Sequence, residues 1–351
     1  MRAFYHPDQA LHAPLQYMRF GAVVAPKDLP ERTAALLGAL DRHGITPETP
    51  PHVTLDPVLA VHAEGFVTFL REAWDQWQTL PEAERGPEVW PATFPYWSGR
   101  PDEASRPPPR PQGFLGRLGW YLGDLSVPMG PHSWTSILRS ASSAVAGAEA
   151  LLAGERLAYA LCRPSGHHAR ADRASGFCYL NNSAIAAQHL RRRFGRVAIL
   201  DLDAHHGDGT QQIFYGRPDV LTVSVHADPA QFYPWFTGYA DERGWGEGEG
   251  FNLNLPVAHG TGLRDTLAMT RTGMEAIAAF GAEALVVALG FDSHRDDPIG
   301  VLALEAGDFG PLGAAVAAAG LPMLVVQEGG YAIDAIGGCL EAFLTGLTGV
   351  T

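Results

Sequence analysis

The sequence predicts an α/β fold, with a central, mostly parallel sheet wrapped by helices on both faces. Three observations carry this expectation. Short apolar runs rich in β-branched residues alternate with helix-length amphipathic stretches from Ser133 onward. That alternation implies crossover connections and hence parallel strands buried on both sides. No repeat, heptad run or change of rhythm marks a second unit, so residues 1–351 are read as a single domain. Finally, each strong apolar run ends in ionisable residues that a buried strand does not itself need.

The elements follow in order. Leu29 to His43 reads as a helix, with Leu36, Leu37 and Leu40 on one face and Gly44 as its stop. Val58 to Trp77 reads as one or two further helices. From Pro81 to Gly113 prolines crowd, ending in Pro107-Pro108-Pro109, so a long loop is expected there. Together with its flank to residue 124, this segment is read as an insertion near the entrance of a site. Ser136 to Leu152 is a helix, Leu157 to Leu161 a strand and Asn182 to Arg193 a helix. Val197 to Leu200 and Val220 to Val225 are strands. Leu263, Leu267, Met274 and Ile277 give helical spacing to Leu263–Phe280. Leu285 to Leu289 and Met323 to Val326 are the last clear strands.

Composition limits the function. Hydrophobic residues make up 46% and charged residues 18%, as expected for an enzyme with a sizeable core. No apolar run reaches the ~20 residues needed to cross a bilayer. The opening Met1-Arg2-Ala3-Phe4 lacks the pattern of a signal peptide. Cys162, Cys178 and Cys339 form no framework, which fits a reducing cytoplasm. A net charge of −13 argues against nucleic acid as a partner and suits a cationic substrate, although an acidic surface also serves solubility alone.

The polar residues gather after four strands. Arg163-Pro164-Ser165-Gly166-His167-His168 follows the first, and Asp201-Leu202-Asp203-Ala204-His205-His206-Gly207-Asp208 follows the second. Asp292 closes a third and Glu328-Gly329-Gly330-Tyr331 a fourth. In a parallel sheet these ends share one edge, where ligands bind. Asp203 and His205 are two apart, so an extended segment points both to one side. With Asp292 arriving from another strand, they offer three ligands to a divalent ion and leave a position for water.

Together these motifs resemble the histone deacetylase and acetylpolyamine amidohydrolase family, in particular its bacterial acetylpolyamine amidohydrolases. The most specific pieces are Pro164 to Ala169, Gly176-Phe177-Cys178-Tyr179-Leu180-Asn181-Asn182, Asp201 to Gly209, Gly290-Phe291-Asp292 and Glu328 to Tyr331. The resemblance implies the arginase–deacetylase fold, with the active site at the C-terminal ends of the strands. It implies zinc on Asp203, His205 and Asp292, proton transfer by His167 and His168, and supporting carboxylates at Asp201 and Asp208. Tyr331 would bind the substrate carbonyl. Gly176, Phe177, Tyr233 and Ile299 would contact substrate, and Arg32 would lie near an inner cavity. Potassium is implied at Asp201, Asp203, His205, Ser224 and Val225. A second potassium site would use Phe214, Arg217, Val220 and Phe251. The activity implied is removal of an acetyl group from a small cationic amine, with a protein acetyl-lysine deacetylase as the alternative. A homodimer is also implied.

Two rivals are weaker. A dimanganese ureohydrolase shares Asp203-Ala204-His205, but Gly207 stands where its second aspartate belongs, and Asp292 is followed by Ser293 and His294. A non-catalytic binder should have lost a ligand, a histidine or the tyrosine, and none is missing. One departure bears on substrate. Leu115 occupies the place of a glutamate that meets a polyamine's distal ammonium in the resembled branch, with Asp102, Glu103 and Asp124 as nearby substitutes.

Overall fold

The computed structural model describes residues 1–95 and 111–349. Its strands are β1 (Arg2–Phe4), β2 (Tyr17–Arg19), β3 (Ala22–Val24), β4 (Leu157–Ala160), β5 (Val197–Asp201), β6 (Val220–Ala227), β7 (Asn252–Val257), β8 (Ala284–Leu289) and β9 (Met323–Gln327). Its helices are α1 (Glu31–Arg42), α2 (Asp56–Leu59), α3 (Glu64–Gln78), α4 (Phe114–Tyr121), α5 (Ser133–Leu152), α6 (Asn182–Leu190), α7 (Asp208–Phe214), α8 (Leu263–Phe280), α9 (Phe309–Ala317) and α10 (Ile333–Thr348).

Among the described residues, seven strands form one sheet in the order β1-β4-β9-β8-β5-β6-β7. Every neighbouring pair in it is parallel, so the sheet is wholly rather than mostly parallel. Among the named strands of the described residues, the antiparallel pair lies apart, in the β2–β3 hairpin.

Alternation along the strands builds two cores. Ala198 and Leu200 of β5 face one side with Leu285 and Val287 of β8, against α1, α8, α9 and α10. Val197 and Ile199 face the other with Ala284 and Val286, against α5 and α6. Each fully buried Val, Leu or Ile contributes about 1.5–3 kcal/mol. A third core joins α3 and α4 to the front of α5 through Phe66, Phe69, Leu118 and Ile137.

Helix ends are locally specified. Asn181 caps α6 by accepting the Ala184 N–H at 2.8 Å. Gly281 closes α8 in the left-handed conformation, φ 71°. The α6 helix stops at Leu190, short of the expected Arg193, and the following residues form turns.

The 81–124 segment is only partly a loop. Val89 is fully buried and pairs with Met129, and the Trp90 indole donates to the Leu125 carbonyl at 3.1 Å. Residues 114–121 form α4 because Phe114 and Tyr121 pack against Phe69 of α3. The Pro107-Pro108-Pro109 run, Asp102 and Glu103 lie outside the described residues.

Candidate active site

Strands β5 and β8 are neighbours, yet the chain leaves β5 toward β6 and β7 and returns from β8 toward β9. The direction of winding reverses between them, which opens a crevice at their carboxyl ends. The expected residues meet there.

Asp203, His205 and Asp292 are buried, and their ligand atoms all lie within 4.8 Å of one another. His205 Nδ1 is 2.8 Å from Asp292 Oδ2 and 3.2 Å from Asp203 Oδ1. Backbone N–H groups hold the other carboxylate oxygens: Gly329 donates to Asp203 Oδ2 at 2.8 Å, and Ala204 to Asp292 Oδ1 at 2.7 Å. Gly329 must be glycine, since a Cβ there would come within 2.6 Å of both carboxylates. Burial, with Asp203 beside it, pushes Asp292 up to about 8. Two facing carboxylates and an imidazole nitrogen in a dry site are a donor set suited to a divalent cation, whose charge would replace that proton. The residues therefore fit zinc.

Two His–Asp pairs flank this cluster. His167 Nδ1 lies 2.9 Å from Asp201 Oδ2, and its Nε2 lies 3.8 Å from Asp203 Oδ1. His168 Nδ1 lies 2.8 Å from Asp208 Oδ1. The second Asp208 oxygen accepts from Arg170 Nε and Nη2 at 3.1 and 2.9 Å. The histidine rings stand 4.0 Å apart but titrate differently. Burial alone would lower His167, but the Asp203 and Asp201 carboxylates outweigh it and hold it well above the usual histidine range. Burial, then the charge of His167, takes His168 down to about 4. The two rings are thus shifted in opposite directions.

Tyr331 follows β9. Burial, opposed by Arg32, holds its hydroxyl well above the usual range, so it stays a proton donor. Arg32, expected near an inner cavity, lies beneath the Glu328–Tyr331 turn. It donates to the Glu328 carbonyl at 2.7 Å and to Gly330's at 2.5 Å, and stacks 4.7 Å from the Tyr331 ring. Asp28 accepts from both Arg32 and Arg163 at its Oδ1, 2.5 and 3.0 Å away.

A cavity of about 190 Å³ leads to His168, His205 and Tyr331. Gly176, Phe177, Tyr233 and Ile299 line it. Phe177 adopts φ 66°, an uncommon conformation for a side-chain-bearing residue, and its ring meets Tyr331 edge-on at 5.6 Å. Asp124 is also in the wall, whereas Leu115 is 61% exposed and outside the lining.

The potassium positions are placed as follows. Ser224 pairs in register with Asp201, and its hydroxyl lies 2.8 Å from His226 Nδ1. Val225 follows it in β6, buried. Phe214 ends α7, Arg217 turns back to its carbonyl at 2.9 Å, Val220 opens β6, and the Phe251 carbonyl accepts the Thr222 N–H at 3.1 Å. The ureohydrolase reading requires an aspartate where Gly207 stands. A Cβ at Gly207 would come 2.3 Å from Asp201 Oδ2, so an aspartate there would require the Asp201 side chain to move.

Sequence reasoning missed three supports. The buried Glu328 accepts from the Gly166 and His167 backbones at 2.7 and 3.1 Å and from Ser183 Oγ at 2.8 Å, tying β9 to the histidine loop. Arg170 anchors Asp208. Asp297 accepts the Tyr331 N–H at 2.6 Å and those of Ile299 and Gly300 at 3.0 Å, joining the tyrosine to the cavity wall. Of the three, only Glu328 leaves a signal in sequence, as an ionisable residue directly after a buried strand. An Asp297→Asn change presents an amide donor to one of these N–H groups, so kcat should fall about 10-fold through displacement of Tyr331. Steady-state kinetics with an unchanged zinc content would check this.

The histone deacetylase domain matches residues 27–347 of the chain. The chain is 43% identical over 346 residues to an acetylpolyamine amidohydrolase of Burkholderia pseudomallei, covering 99% of this chain and 98% of that one. It is 40% identical over 352 residues to acetylpolyamine amidohydrolase 2 of Pseudomonas aeruginosa, covering 100% and 99%. A crystal structure of acetylpolyamine aminohydrolase from Burkholderia pseudomallei superposes with a TM-score of 0.92 at 43% identity, over 99% of this chain and 98% of the other.

Proposed function

The chain belongs to the histone deacetylase family, and we propose from that premise that it hydrolyses the acetyl amide of acetylated polyamines or related small acetylated amines. The observation that carries this reading is the convergence of Asp203, His205 and Asp292 with two His–Asp pairs and Tyr331 at the base of one narrow cavity.

Zinc held by Asp203, His205 and Asp292 would polarise the acetyl carbonyl and acidify a water toward ~7. One ring of the His167–His168 pair takes the proton of the water, and the pair returns a proton to the departing amine nitrogen. Asp201 and Asp208 fix both imidazoles through Nδ1, so the Nε2 edges face the reaction. Tyr331 donates to the carbonyl oxygen as negative charge develops there. Phe177, Tyr233 and Ile299 wall the acyl end from bulk water. Potassium, on the Asp201, Asp203, His205, Ser224 and Val225 set, would be structural. The second set at Phe214, Arg217, Val220 and Phe251 belongs to the same reading.

No helix among the described residues is long and apolar enough to cross a membrane. The cytoplasm is supported by Cys162, Cys178 and Cys339, all buried and unpaired. The 81–124 segment, in a homodimer, would narrow the entrance against polypeptides. The test is a panel of acetylputrescine, acetylcadaverine, acetylspermidine and an acetyl-lysine peptide, run on the full chain and on a variant shortened within 96–110. The full chain should favour a small amine over the peptide by about 10-fold, a ratio that a modest steric or contact difference supplies. Shortening should raise the peptide relative to acetylputrescine. A strong peptide preference in the full chain would turn the assignment to a protein deacetylase.

A further inference from the structure

Residues 228–238 cross the front of the catalytic cluster between two anchors. At the near end Ala227 closes β6, and the Asp228 N–H donates to the Val257 carbonyl at 2.9 Å. Between the anchors, the Phe232 ring stacks on His205 at 4.4 Å, and the Tyr233 ring meets His168 edge-on at 4.9 Å. Backbone bonds within the segment are local, Trp235 to Phe232 at 3.0 Å and Phe236 to Pro234 at 2.8 Å, and set its shape rather than its place. Asp124 accepts the Tyr233 hydroxyl at 2.7 Å, which fixes the tip of that ring and not its backbone.

The far anchor is Gly238, gripped on both sides. Its carbonyl lies 2.8 Å from His226 Nε2. A carbonyl only accepts, so that nitrogen carries the proton and Nδ1 accepts from the Ser224 hydroxyl, 2.8 Å away. The Gly238 N–H donates to Glu242 Oε2 at 2.9 Å. Gly238 has φ 108°, and a Cβ there would come 2.9 Å from His206 Cγ and His226 Nε2, so glycine suits the grip. Glu242 is itself held from behind. The same Oε2 accepts from Gln211 Nε2 at 2.6 Å and Asn254 Nδ2 at 3.3 Å, and the Glu242 carbonyl accepts from Asn252 Nδ2 at 2.7 Å. Gln211 lies in α7, the helix that opens on Asp208, the carboxylate of His168. One carboxylate oxygen therefore ties the wall segment to α7 and β7.

We propose that Glu242 is a positioning residue that sets substrate affinity by holding the 232–235 wall against His168 and His205. This rests on the amide-hydrolase reading above and adds a residue to that site. Glu242 lies outside the cavity lining, so it acts through Gly238. Without its oxygen the Gly238 N–H loses its partner and the wall draws back from the acyl channel. Asp203, Asp292 and Tyr331 keep their own backbone partners. The loss therefore falls on the binding of substrate more than on the chemical step.

The test is steady-state kinetics of the zinc-loaded protein on N-acetylputrescine, or on an acetyl-lysine reporter if that is what it turns over. Glu242→Ala should raise KM about 10-fold and change kcat less than about 3-fold. A merely structural role would lower the active fraction, which reduces kcat and leaves KM unmoved. Glu242→Gln keeps an acceptor oxygen at the same reach and should hold KM within about 2-fold of wild type. Should Glu242→Ala not fold, Glu242→Asp takes its place. It keeps the charge but withdraws the oxygen by one methylene, and should raise KM about 5-fold. A double variant with Tyr233→Ala should cost less than the product of the two single effects, because the wall is then already lost. An unmoved KM in the Ala or Asp variant, a Gln variant as impaired as either, or multiplicative effects in the double variant overturn the proposal. If the wild type hydrolyses neither substrate, the hydrolase reading fails, and hydrogen exchange then decides on Glu242. Faster amide exchange over residues 232–242 in Glu242→Ala, with β5 and β8 unchanged, supports the positioning role, and equal exchange overturns it.

Discussion

Tyr331→Phe is expected to lower kcat by about 10²-fold or more while leaving KM, zinc content and thermal stability nearly unchanged. The variant removes one oxygen and keeps the ring. The edge-on contact with Phe177 and the Arg32 guanidinium over the ring both survive. What is lost is a donor that burial holds protonated, and its hydrogen bond matters most when charge gathers on the carbonyl oxygen. A variant with near wild-type kcat would reduce Tyr331 to a packing residue.

Asp292→Ala should abolish stable zinc binding, weakening it by about 10²-fold or more. Asp292 is completely buried and supplies one of three converging donors, while its other oxygen holds the Ala204 N–H at 2.7 Å. Losing it removes a ligand and loosens the turn that carries His205. Metal analysis reads the first effect. Melting with and without added zinc reads it independently, because a ligand bound to the native state raises stability and the variant should show no such rise. Full zinc retention would show that the ion, if present, sits elsewhere.

The central strands were legible because burial on both faces leaves them almost purely apolar, as in Ala284-Leu285-Val286-Val287-Ala288-Leu289. The edges were not. β1 has three residues, and β7 carries Asn252 and Asn254, whose amides donate to Gln211 at 3.0 and 2.9 Å inside the protein. Helices α9 and α10 escaped notice because glycines interrupt them, and Ile336, Leu340 and Phe343 press into a core that hides most of the surface. At the site, Asp203 and His205 announced themselves by spacing. The roles of Glu328, Asp297 and Arg170 depend on partners 34 to 162 positions away, which no local pattern encodes. The cavity mouth was equally hidden, since Arg19, Asp124, Trp235 and Ile299 come from four separate stretches.

The strand order also dictates a timetable for assembly. β8 and β9, the last two strands made, stand between β4 and β5, which are made long before them. Without β8 and β9 the pairings that remain are β1-β4 and β5-β6-β7, each with an edge that the finished sheet covers. Such edges invite pairing with other chains until the wedge of β8 and β9 arrives. Because Asp292 follows β8, the Asp203–His205–Asp292 cluster comes together only when that wedge is in place.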